Sequence, residues 1–88
     1  MLFFRHRRKL TAKDVRDVLA RFLDDTATPY EFDDFVSIKI GDPRLDAIRE
    51  RCDGLRKEFP PEVSGHYCGA GGVEVMRQFI RELENEAV

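Results

Sequence analysis

Apolar residues recur at helical spacing in three stretches of this chain. In the first, Val15, Val18, Leu19, Phe22 and Leu23 form one stripe along a helix. Thr11 stands just before the stripe with a hydroxyl that suits an N-cap. Asp14, three residues on, completes a capping box with a shorter acid than usual. The run Asp25-Thr26-Ala27-Thr28-Pro29 breaks the pattern, so the first helix is predicted over about 11–24. In the second stretch, Leu45, Ile48, Cys52, Leu55 and Phe59 recur at steps of three and four. Asp42 suits the N-cap, and Pro43 suits the first helical position, which needs no N–H. Asp46, Arg49, Glu50, Asp53, Arg56 and Lys57 are assigned to the other faces. Gly54 weakens this helix by about 1 kcal/mol relative to alanine and offers a neighbour room to pack close. Pro60-Pro61 stops it, giving a span of about 43–58. In the third stretch, Val73, Met76, Phe79, Ile80 and Leu83 follow Gly71-Gly72. Glu74 suits the positive end of that helix, predicted over about 73–85 with fraying after Glu84.

Between the first two helices the pattern changes. Phe32, Phe35 and Val36 fall on one side of a short helix near 31–36, while Val36 to Ile40 alternates as a strand does. A helical turn running into an extended link satisfies both. A strand there needs a partner, and Leu2–Arg5 and His66–Cys68 are the candidates. The expected architecture is mainly α: a small bundle of three main helices, one short helix and at most one short β pairing. The connection Phe59–Gly72, with two prolines and four glycines, has the least to hold it still.

Eighty-eight residues fit one domain, read as a basic tail over 1–10 and a helical body over 11–88. A chain of this length buries roughly 60–65% of its unfolded surface, enough for one modest core without metal or disulfide staples. With 42% hydrophobic and 36% charged residues, it has the composition of a soluble globular protein. In Met1 to Leu10 the charges follow the apolar residues, the reverse of a secretory signal, and no apolar region follows Arg7-Arg8. A cytoplasmic protein of bacterial type is expected. The net charge of −2 conceals an asymmetry. Arg5, Arg7, Arg8 and Lys9 make the tail basic, and the remaining residues, holding all 17 acids, make the body acidic.

Three short patterns carry a wider likeness: D-D-F at Asp33-Asp34-Phe35, D-P-x-L at Asp42 to Leu45, and I-R-x-R-C at Ile48 to Cys52. With them the chain resembles, over most of residues 10–85, a group of small bacterial proteins to which no function is attached. That resemblance implies an aromatic, often tryptophan, where this chain has Phe32. Phenylalanine keeps the bulk and gives up the indole N–H. It implies no reaction, cofactor or catalytic residue.

The residues offer three candidate chemistries. Asp24, Asp25, Glu31, Asp33 and Asp34 lie together without an intervening basic residue, in an order that is not that of a calcium loop. Beside Tyr30 and Phe32, if those rings are exposed, they make an acidic and aromatic surface for a basic protein partner. Tyr30, Glu31, Asp33 and Asp34 are its expected contacts. The alternative is nucleic-acid binding through Arg5, Arg7, Arg8 and Lys9, joined by Arg49, Arg51 and Arg56. The third is a small metal or anion site around Cys52, His66, Cys68 and the loop Gly69 to Gly72. Paired zinc spacing is absent, however, and Cys52 lies on an apolar stripe. A phosphate cradle lacks both G-x-G-x-x-G and a following Lys-Ser or Lys-Thr. A Cys52–Cys68 disulfide is disfavoured in a reducing cytosol. No third group orients His66 and Cys68 as a nucleophile pair. The expectation is therefore a non-enzymatic interaction module with no cofactor.

Overall fold

The computed structural model describes residues 8–87. Four helices follow one another: α1 (Ala12–Leu23), α2 (Glu31–Ser37), α3 (Pro43–Glu58) and α4 (Ala70–Ala87). Together they form a small helical bundle, and no β-sheet occurs among the described residues.

Local chemistry sets the helix ends. The Thr11 hydroxyl accepts from the Asp14 N–H at 3.1 Å, and the Asp14 carboxylate accepts from the Thr11 N–H at 2.9 Å. The other end of α1 closes without a glycine. The Thr26 N–H donates to the Arg21 carbonyl and the Asp25 N–H to the Phe22 carbonyl, with Asp25 at φ +60°. This is the Schellman arrangement, and aspartate tolerates the left-handed conformation it needs better than most residues with a side chain. Asp42 caps α3, its carboxylate accepting from the Arg44 and Leu45 N–H groups, with Pro43 at the first position.

The core draws on every helix. Val15 and Leu19 of α1, Phe32, Phe35 and Val36 of α2, Leu45, Ile48, Cys52 and Leu55 of α3, and Met76 and Leu83 of α4 are buried around Ile40. Phe22, Val73, Phe79 and Ile80 pack half-buried against them. Helix α1 packs most extensively on α4. An aromatic group ties α1, α2 and the loop before α4 together. Phe22 stacks on Phe32 with ring centroids 4.0 Å apart, and Tyr67 meets Phe32 edge-on at 4.9 Å. The Tyr67 hydroxyl donates to the Cys52 and Asp53 carbonyls, which pins the loop to α3.

Several expectations are corrected. Helix α4 begins at Ala70, not 73, and continues to Ala87. Gly71 and Gly72 are therefore in its first turn, where close packing demands them. A Cβ on Gly71 would lie 2.5 Å from the Phe59 ring, and one on Gly72 would lie 2.6 Å from the Cys68 sulfur. Gly54 has no such duty, since a Cβ there meets nothing within 4 Å. The extended link after α2 finds its partner at Arg8, not at His66–Cys68. A single parallel bridge joins Arg8 to Ile40 through Arg8 N–H to Lys39 and Gly41 N–H to Arg8. The other candidate, Leu2–Arg5, lies outside the described residues.

Arg49, assigned to a solvent face, is only 6% exposed. Its guanidinium pairs with Asp46 at 2.7 Å and donates to the Val36 carbonyl at 2.7 Å. Arg8 donates to the Phe35 carbonyl at 2.8 Å and also to that of Ile38. The end of a helix leaves carbonyls without partners. Two arginines, one from the chain before α1 and one from α3, supply them at the end of α2.

Candidate functional site

The acidic surface divides when its residues are located. Tyr30, at the N-cap of α2, is 73% exposed. Asp33 and Asp34 are exposed, and neither forms an ion pair among the described residues. Tyr30, Asp34 and the exposed Ile38 stand at four-residue steps and so share one face. The other two positions are occupied internally. Phe32 is buried against Phe22 and Tyr67. Glu31 takes both donors of the Arg21 guanidinium, with Nε 3.1 Å from each of its oxygens. That hydrogen-bonded pair holds the Glu31 carboxyl below the usual carboxylate range.

The basic set divides as well. Arg5 and Arg7 lie outside the described residues. Arg8 is committed to backbone carbonyls, Arg49 is buried and Arg51 pairs with Glu58. Lys9 and Arg56 remain exposed.

Cys52 and Cys68 are both buried and free, and His66 is exposed. No group of three or more His, Cys, Asp or Glu side chains among the described residues is arranged to hold a metal ion. The thiols are not activated. Burial, with the neighbouring Cys68 adding to it, pushes Cys52 up to about 12, and burial raises Cys68 too.

The Cys52 shift has a measurable consequence. An unfolded thiol titrates near 8.5, while the native one keeps its proton. The folded state thus binds more protons above that pH, and stability falls as pH rises. The contribution is whole below about pH 8.5 and declines by about 1.4 kcal/mol by pH 9.5. Urea midpoints at pH 7.5 and 9.5 read this directly, and Cys52→Ala should flatten the decline. Equal midpoints for the native sequence would contradict it.

Only the tertiary structure reveals the second feature, a cleft of about 550 Å³. Phe22 and Leu23 from the end of α1, Tyr67 from the loop and Val73 from α4 give it an apolar wall. Arg56 from α3, Arg77 from α4, His66 and Asp25 bring polar groups to it, and Cys68 also reaches its lining. His66 and Cys68 were singled out by sequence. Arg56 was named for nucleic acid, and Arg77 was not named at all, since nothing in its spacing marks it. The glycines weighed and disfavoured as an anion cradle lie under Phe59 and Cys68, and the Gly72 and Val73 N–H groups are bonded to the Gly69 carbonyl.

Set beside protein-family models, curated proteins and solved structures, the chain matches none of them. No helix among the described residues is long and apolar enough to cross a membrane.

Proposed function

We propose that this chain is a non-enzymatic protein-interaction module, immunity- or regulator-like, that binds a basic partner in the cytoplasm. One observation carries the reading: Tyr30, 73% exposed, stands beside two exposed carboxylates, Asp33 and Asp34, that have no ion pair among the described residues. Large exposed aromatics and unsatisfied charge of one sign are the components of a recognition surface. Ile38, 40% exposed, extends the same face by one turn. Glu31 supports the face indirectly, through the Arg21 pair that ties α2 to α1. The raised, buried thiols favour binding over covalent chemistry, and two free cysteines suit a reducing compartment.

The test is a pull-down at low salt with the protein immobilised. A basic partner is expected to be retained, to be released as salt rises, and to be lost with an Asp33→Lys, Asp34→Lys double variant. Both positions are exposed, so the double variant should keep its fold. Equal recovery by that variant would remove the reading. Nucleic acid is the weaker alternative, since of its tail cations Arg8 is bound to carbonyls.

A further inference from the structure

Most of the arginines among the described residues have a partner. Arg8 is held by carbonyls, and Arg16, Arg21, Arg44, Arg49, Arg51 and Arg81 each pair with a carboxylate. Among the described residues only the arginines Arg56 and Arg77 have neither a carboxylate nor a carbonyl partner, and both line the same cleft. In a body with an excess of acids, two exposed arginines without a counter-charge lining one depression give it a positive balance. Elsewhere on this surface every described arginine has found a counter-charge or a carbonyl.

We propose that the cleft is a binding site for a small organic anion with an aromatic body, a carboxylate or phosphate ester. The volume of about 550 Å³ is that of a small-molecule pocket. Phe22 and Tyr67 meet edge-on there, with centroids 6.0 Å apart. Their exposed surface, with Leu23 and Val73, receives a flat apolar body. The guanidiniums supply planar, paired donors that fit an oxyanion, and His66 adds a ring nitrogen. Asp25 is the one acid in the lining, so the arginines exceed it two to one and the balance favours an anion. The Tyr67 hydroxyl is not available to the ligand, because it is bonded to the Cys52 and Asp53 carbonyls. That bond fixes the ring as a wall. The site is separate from the Tyr30–Asp34 face and does not depend on it.

The experiment titrates the full-length, isotope-labelled protein with four probes and follows its amide NMR signals. The probes are 1-naphthyl phosphate, 1-naphthoate, neutral 1-naphthol and inorganic phosphate. Saturable shifts confined to the surroundings of Tyr67, Cys68, Val73 and Arg77 are expected with the two aromatic anions. The tighter of the two identifies the head group. Naphthol and inorganic phosphate should each bind at least tenfold more weakly. An Arg56→Gln, Arg77→Gln double variant should lose at least tenfold in affinity for the anions and leave the naphthol response unchanged. A Lys57→Gln control should behave as the native sequence. Naphthol binding as tightly as naphthoate, shifts that do not saturate, or an unaffected double variant would each overturn the proposal. The comparison of naphthol with naphthoate uses the native protein alone, so it decides even if the double variant misfolds.

Discussion

Arg49→Met is expected to lower the unfolding free energy by about 2–3 kcal/mol, the cost of a lost charge-assisted hydrogen bond and an unpaired carbonyl in a pair whose acid is partly exposed. The residue is 6% exposed, and its side chain joins three parts of the fold. It pairs with Asp46 on its own helix and donates to Val36 at the end of α2. Asp46 in turn accepts from the Ile40 N–H at 2.9 Å. Methionine fills much of the volume but leaves the Val36 carbonyl without a donor and the Asp46 carboxylate without its cation. An Asp46→Ala, Arg49→Met double variant should lose less than the sum of the two single variants, because it leaves no uncompensated charge. Chemical unfolding of the three variants completes the cycle, and strict additivity would sink the account. The pair also gives the protein an acid limit. The Arg49 hydrogen bond, then the Ile40 N–H, hold Asp46 below the usual carboxylate range. A depressed carboxyl pKa stabilises above the unfolded value near 3.9 and loses that contribution as pH falls through the native one. Below about pH 4 the native protein should weaken faster than the Arg49→Met variant.

The second large effect is at Gly72. Gly72→Val should destabilise by about 3 kcal/mol, at the upper end for overpacking a filled core. The first added carbon would already lie 2.6 Å from the Cys68 sulfur and 3.1 Å from its Cβ. Cys68 has little room to yield, since it is itself buried. Combining Gly72→Ala with Cys68→Ala should relieve part of the cost of Gly72→Ala alone. Gly54→Ala provides the opposite sign. Nothing lies within 4 Å of its Cβ, so the helix gains about 1 kcal/mol with no clash. Thermal and urea unfolding of these variants measure the contrast. Stabilisation by Gly72→Val would contradict the close approach of α4 to Cys68.

The resemblance motifs find structural duties in these contacts. Asp42 caps α3 with Pro43 behind it, Leu45, Ile48 and Cys52 fill the core, Arg49 closes α2, and Phe35 is buried. Asp33 and Asp34 suit the positive end of α2 but have no ion pair among the described residues, which is why the proposed interface centres on them.

Legibility followed the range of the interactions. The Thr11 and Asp42 caps, the three apolar stripes and the turn of α2 into an extended link were readable, because each depends on residues within one or two helical turns. Phe32 showed the limit. Its spacing allowed core or surface, and its stacking on Phe22 and Tyr67 placed it inside. The start of α4 was misplaced because Gly71 and Gly72 read as loop, their low helix propensity being outweighed by the space they leave for Phe59 and Cys68.

By itself the amino-acid sequence determined four helices, their boundaries to within a few residues and most of the buried positions. Periodicity and capping are local chemistry, and the chain carries them on its face. Tertiary structure alone decided that Arg8 and Arg49 are internal, that Glu31 is paired with Arg21, and that Arg56 and Arg77 line one cleft. Those facts depend on which distant segments meet, and no spacing along a single chain records the meeting of α1, α3 and α4.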